Sequence, residues 1–335
     1  MTAIPFVTLN DPQYGEPITV SPLIRRIVAN NPSKFTYHGT GTYIVGSGTG
    51  SNGQVAVIDP GPQLDSHRDA LVQALQGRRV VAILVTHCHA DHSPLAAWLK
   101  DHTGAPTVGF GPHPRVDDPD ADDPITGDDN APDEDADAEP DADVAPADQP
   151  AVIEESTDYD FQPDLIVGDG EVAAVGDGWT IRAVHTPGHT SNHLCFAFDA
   201  EQALFTGDHI MGWSTTVIGP PDGDMRAYFD SLRKVQGRHD HTYWPTHGAP
   251  VTDTQPFIQA FLAHRLDREA QVLAAVRSGQ TTIADMVEVL YADVRKELHK
   301  PAARSVLAHL VKLVDDGLVA IDEGTPRLRA VYRPT

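Results

Sequence analysis

Thr86-His87-Cys88-His89-Ala90-Asp91-His92 concentrates metal-ligand chemistry in one short stretch. Residues two apart in an extended segment project to the same side, so His87 and His89 can grip one ion. The chain then turns toward a helix, which aims Asp91 and His92 at a neighbouring position. Imidazole nitrogen and carboxylate oxygen bind zinc at about 2.0–2.2 Å. Three later segments share one design: Thr186-Pro187-Gly188-His189-Thr190, Thr206-Gly207-Asp208 and Pro245-Thr246-His247-Gly248. Each places one ligand-type residue at a strand end, beside a glycine that permits a tight turn.

These residues need a rigid frame. Thr42–Val45 and Val55–Ile58 are apolar, β-branched runs around a Gly/Ser turn at 46–53, which is a hairpin signal. Asp59-Pro60-Gly61 stops the second strand, and His67–Leu75 reads as a helix. Val80–Thr86 is a continuous apolar run suited to a strand buried on both faces, and Pro94–His102 reads as the helix after it. Strands are also expected at Leu165–Val167, Val172–Val175, Trp179–His185, His193–Phe198, Ala203–Thr206 and Thr242–Trp244, with a helix over Met225–Gln236. Strand–helix alternation of this kind predicts an α/β architecture. Beyond Gln255 the pattern becomes helical: Phe257–Arg277, Thr282–Tyr291 with Thr281 or Thr282 as cap, and Pro301–Asp316. Leu318–Asp322 and Leu328–Tyr332 then read as a short hairpin, which completes three helices and a wing. The expected domains are 1–255 and 256–335.

The chain has 335 residues, enough for about two domains, and 40% are hydrophobic, which excludes full disorder. No apolar run is long enough to cross a membrane, and no secretory signal is visible at Met1–Asn10. Two cysteines, Cys88 and Cys195, cannot form a disulfide framework, so a reducing, cytoplasmic setting is expected. Of the net charge of −24, residues 117–160 account for 19 acidic groups and carry no Lys or Arg. The remaining 291 residues carry only −5. The Asp-, Ala- and Pro-rich stretch 115–160 is expected to be a mobile insertion in a surface loop, because it offers few apolar groups to anchor it.

On the motifs THCHADH at 86–92, TPGHT at 186–190, TGD at 206–208 and PTHG at 245–248, the sequence resembles the metallo-β-lactamase superfamily over about residues 20–250. The resemblance implies an α/β (α+β) fold, a four-layer αββα sandwich with metals at one edge. It implies His87, His89 and His189 around one divalent ion, Asp91, His92 and His247 around a second, and Asp208 bridging both, with zinc the expected metal. Asp91 and Asp208 are then the catalytic candidates, Asp91 also as a group that orients the attacking water. True β-lactamases generally lack a bridging Asp, so β-lactam hydrolysis is not the expected activity. The C-terminal helices and wing are similar to those of the lactamase-beta-2-like branch, whose animal members are endoribonucleases. Matching stretches are Gly212–Val217, His264–Glu269 and Val306–Leu310 with Leu313.

Two divalent ions, two carboxylates and a hydroxide leave a formal charge of about +1, which favours an anionic substrate. Phosphodiester cleavage, with single-stranded RNA among the substrates, is ranked first. Thioester hydrolysis of the glyoxalase II type is ranked second. A regulator that uses the winged helix on DNA is the rival from another class. Residues 262–335 hold 11 basic and 10 acidic residues, too balanced for a DNA-reading surface, so no sequence-specific DNA partner is expected. No membrane partner is expected, and a homodimer is left open. His209, Thr215 and Thr216 are candidate substrate contacts. His185 and His193 are expected to pack or to orient ligands, and Cys88 to be a buried thiol. The C-terminal module is expected to wall the substrate cleft.

Overall fold

The structure is a computed structural model and describes residues 2–47, 53–121, 156–292, 299–322 and 324–335. Its first sheet has seven strands in chain order: β1 (Ile18–Ser21), β2 (Ile24–Val28), β3 (Gly41–Val45), β4 (Gly53–Ile58), β5 (Arg78–Leu84), β6 (Thr107–Gly109) and β7 (Leu165–Ile166). The strands from β1 to β4 pair antiparallel, and those from β4 to β7 pair parallel. Helices α1 (Asp65–Leu75) and α2 (Leu95–Thr103) make the β4–β5 and β5–β6 crossovers. The second sheet contains β8 (Val172–Gly176), β9 (Trp179–His185), β10 (Leu194–Phe198), β11 (Ala203–Gly207) and β12 (Thr242–Pro245). Only its β11–β12 pair is parallel, joined through α3 (Met225–Gln236).

Side-chain alternation assigns the layers. Tyr43, Val45, Ala56 and Ile58 face Ile181, Phe196, Phe198 and Phe205 in a core between the two sheets. The opposite face of the first sheet, with Ile44, Val55, Val57 and Ile83, packs on Leu71, Leu75, Leu95 and Leu99 of α1 and α2. The opposite face of the second, with Cys195, Ala197 and Leu204, packs on Tyr228, Phe229 and Leu232 of α3 and on the start of the next helix. The fold is therefore the expected four-layer αββα sandwich.

That next helix, α4 (Thr254–Arg277), belongs to two cores. Its first half contributes Phe257, Ile258 and Phe261 to the sandwich. Its second half contributes Val272, Ala275 and Val276 to a separate core with α5 (Ile283–Leu290), α6 (His299–Asp315) and the hairpin β13 (Val319–Ile321) and β14 (Tyr332–Pro334). Thr282 is the cap of α5; its hydroxyl accepts from Asp285 N. The last strand starts later than the sequence suggests. Leu328 N donates to Asp120 Oδ2 at 2.9 Å, Tyr332 Oη closes a turn on Arg327 O at 2.8 Å, and the β13–β14 ladder among the described residues begins at Tyr332.

The acidic stretch divides in two. Residues 122–155 lie outside the described residues, so the expectation of mobility there is not addressed. Its two roots are fixed. Arg304 pairs with Asp118 at 2.7 Å. At the far root, Ala90 N donates to Ser156 O at 2.9 Å and Asp158 N to Cys88 O at 2.7 Å.

Candidate metal centre

Strands β4, β5, β9, β11 and β12 end at one edge of the sandwich, and the ligand-type residues follow them immediately. Asp59 follows β4, His87 to His92 follow β5, His189 follows β9, Asp208 follows β11 and His247 follows β12. Ligands in open α/β sheets collect at the carboxyl ends of strands for this reason. The two sheets are tied there by Gly41 N to Thr246 O at 2.8 Å and Leu194 N to Thr86 O at 2.8 Å. Gly207 holds φ +51°, and a Cβ on it would lie 2.7 Å from His193 Nε2, so the residue before Asp208 must be glycine.

All seven predicted ligands converge. His87, His89 and His189 form one group whose ring nitrogens lie within 4.8 Å of one another; Asp91, His92 and His247 form another. His87 Nε2 is 3.0 Å from His89 Nδ1, and His189 Nε2 is 3.2 Å from the same atom. His247 Nε2 lies 3.2 Å from Asp91 Oδ2. The Asp208 carboxylate reaches both groups: Oδ1 is 3.4 Å from His247 Nε2, and Oδ2 is 3.8 Å from His189 Nε2.

The outer nitrogens are held. His189 Nδ1 is 2.7 Å from Val217 O, His247 Nδ1 3.3 Å from Gly39 O, and His92 Nδ1 2.9 Å from Asp59 Oδ2. Such partners fix ring orientation and leave the inner nitrogen free for a metal. Among the described residues, His92 Nε2 and Asp208 Oδ1 are buried without a hydrogen-bond partner. Burial pushes the His87, His89 and His189 imidazoles below their ordinary value, which favours the neutral, ligating form. Burial also opposes charge on His247, but Asp208 and Asp91 outweigh it and raise this group to about 10. Two buried carboxylates thus demand positive charge between them. The donor set, the orphaned atoms and this charge demand fit divalent cations.

Asp59 is a member to which the sequence reading gave no role at the site, since Asp59-Pro60-Gly61 served there as a strand stop and as a turn similar to the family's. It is fully buried and holds φ +49°. Its Oδ1 accepts from Thr86 N at 2.8 Å, and its Oδ2 accepts from the hydroxyls of Thr86 at 2.8 Å and Thr246 at 2.9 Å. The usable signal was a carboxylate at a strand end, in the same position as the other ligand-type residues. His193 packs beneath the site, as expected: its Nε2 accepts from Asp208 N at 3.2 Å and its Nδ1 faces Thr186 Oγ1 at 2.9 Å. His185 stacks on Phe110 at 4.0 Å. Cys88 is buried, and burial raises its thiol to about 11.

The three candidate substrate contacts separate. Thr215 lines a narrow recess with His89, Asp91, Asp208 and His247. Thr216 is buried, and its hydroxyl donates to Asp208 O at 2.7 Å. His209 is also buried, with its ring 5.0 Å from that of Tyr228, away from the cleft wall. A larger cleft of about 330 Å³ opens beside His89 and His189 and extends to Arg304 on α6. Its walls include Val116, Tyr159, Pro220 and Pro221. His113, which motif reading passed over, also lines it and sits 3.5 Å from Asp222.

Residues 39–247 match the metallo-beta-lactamase superfamily. The chain belongs to that superfamily. Residues 282–325 match the beta-lactamase associated winged helix domain, so this superfamily hydrolase carries the winged helix that its last helices and hairpin suggest. It is 29% identical over 321 residues to an atrochrysone carboxyl ACP thioesterase of Aspergillus novofumigatus, covering 90% of this chain and 82% of the relative. A protein of the same description from Emericella nidulans is 30% identical over 319 residues, covering 93% and 84%. Among solved structures, a beta-lactamase domain protein from Burkholderia ambifaria aligns with TM-score 0.69 at 20% identity, covering 97% of this chain and 95% of that one. A metallo-beta-lactamase family protein of Thermus thermophilus aligns with TM-score 0.67 at 21% identity, covering 95% and 100%. Among the described residues, no helix is long and apolar enough to cross a membrane.

Proposed function

We propose that this protein is a dinuclear zinc thioesterase that hydrolyses an acyl thioester presented on a carrier thiol. His87, His89 and His189 would hold one ion and Asp91, His92 and His247 the other, and the Asp208 carboxylate reaches both groups of residues. When bound, the ions polarise the thioester carbonyl and acidify the attacking water. Asp208 and Asp91 keep the centre close to neutral, and the buried imidazoles are locked in ligating tautomers by Val217, Gly39 and Asp59. Water adds to the carbonyl carbon, the C–S bond breaks, and the products are a carboxylic acid and a thiol. A thiol has a pKa of about 8.5, so its departure makes little demand for a general acid.

The observation that carries this reading is the cleft wall beside His89 and His189. Val116, Tyr159, Pro220 and Pro221 give it apolar surface for an acyl group. The cleft's Lys and Arg side chains are Lys300 and Arg304, and the Arg304 guanidinium is paired with Asp118 at 2.7 Å. A nucleic-acid path would instead need a run of basic groups. The relatives named as ACP thioesterases support the same choice, which turns round the order expected from charge and from the lactamase-beta-2-like resemblance: thioester first, phosphodiester second. The test is a hydrolysis panel on zinc-loaded protein. It would include acyl thioesters of a carrier protein and of free pantetheine, an activated phosphodiester, short RNA and a β-lactam. Turnover confined to thioesters supports the proposal; turnover of the phosphodiester or RNA alone sinks it.

A further inference from the structure

Arg265 lies on α4, outside the sandwich strands, yet is 96% buried on its 4% exposure. Among the described residues no carboxylate pairs with it. A buried charge without a counter-ion is costly unless strong dipoles meet it. Its Nη2 donates to Thr216 O in a very short contact. The guanidinium also lies over the Tyr228 ring at 5.4 Å.

Thr216 is a junction. Its hydroxyl donates to Asp208 O at 2.7 Å and contacts His209 O at 3.1 Å. Tyr228, beneath Arg265, donates its hydroxyl to His209 O at 2.7 Å. The residue after Thr216 is Val217, whose carbonyl holds His189 Nδ1 at 2.7 Å. One guanidinium therefore fixes the peptide between the hydroxyl that anchors Asp208 and the carbonyl that orients His189. These two residues come from separate strands and serve the same metal centre. We infer that Arg265 is a positioning residue for that centre, through which α4 and the winged-helix module set the geometry of the 208–217 loop.

The inference rests on the dinuclear reading above, and the experiment separates the two. Arg268, three residues along α4, supplies a matched control. It is also buried, donates to Leu290 O at 3.0 Å and lies over Tyr291 at 4.2 Å, within the winged-helix core. Arg265→Lys, Arg268→Lys and Thr216→Val would be compared with the parent by competition for zinc with a chromophoric chelator, by melting of the metal-free proteins, and by kcat and KM. Arg265→Lys and Thr216→Val should each weaken zinc retention by about tenfold, the lower end of what such outer partners contribute. They should lower kcat more than they raise KM. Arg268→Lys should retain zinc as the parent does, whatever its melting temperature. Equal loss of zinc affinity in Arg265→Lys and Arg268→Lys, or no loss in either Arg265→Lys or Thr216→Val, overturns the positioning role. A parent that binds no zinc overturns the dinuclear reading and this inference together.

Discussion

The Asp59 carboxylate grips His92 Nδ1 at 2.9 Å while the same oxygen accepts the hydroxyls of Thr86 and Thr246. One buried acid thus joins β4, the loop after β5 and the loop after β12. It fixes the tautomer of a ligand-type imidazole from the side opposite the cluster.

Asp59→Asn should weaken metal binding by about 10- to 100-fold, because an amide cannot accept all four contacts that the carboxylate accepts. The left-over donors also carry a desolvation cost of about 1–3 kcal/mol. Chelator competition and thermal melting measure the two effects. Unchanged zinc affinity would show that His92 is oriented by something else.

Asp208→Ala removes the group that reaches both ligand triads. The variant should fold, lose metal and lose hydrolysis altogether. Elemental analysis should find two zinc ions per parent chain and fewer in the variant. Full activity in this variant would end the dinuclear assignment.

Acid should destabilise the protein through buried histidines. Burial depresses His67 and His309 from 6.5 to about 4. The unfolded chain then binds more protons between these values, so stability is complete above pH 6.5 and is lost as pH falls toward 4. Each group is worth up to about 3 kcal/mol across that window. Urea unfolding of His309→Gln should show a shallower loss over the same range than the parent. Parallel pH profiles would contradict the assignment to His309.

Arg304 closes the far end of the cleft, bound to Asp118 at 2.7 Å and to Pro220 O at 2.8 Å. Arg304→Ala should raise KM for the thioester about fivefold, roughly 1 kcal/mol. It should leave zinc content unchanged. A fall in kcat with constant KM would place the substrate elsewhere.

Most strands and the placing of ligand-type residues at strand ends were legible because those signals are local, whereas the four-layer arrangement and the grouping of the seven residues came from the resemblance to the superfamily. Strand β2 was not legible, since Arg25 and Arg26 interrupt its apolar pattern. In the fold Arg26 is buried and donates to Gly248 O at 3.0 Å, a partner far along the chain. Asp59, His113 and Arg265 were missed for a related reason. Each acquires its role only through residues from distant segments, which spacing cannot show. The hairpin of the wing was displaced because Asp120, outside the module, takes the Leu328 amide.

Both stumps of the acidic stretch are fastened at the cleft, Asp118 by Arg304 and Ser156 by Ala90. These bonds are made by residues outside 122–155: Arg304 on α6 and Ala90 in the loop after β5. In mechanical terms, one clamp on α6 and one on the loop after β5 set the gap that residues 122–155 have to span, beside the cleft lined by His89 and His189.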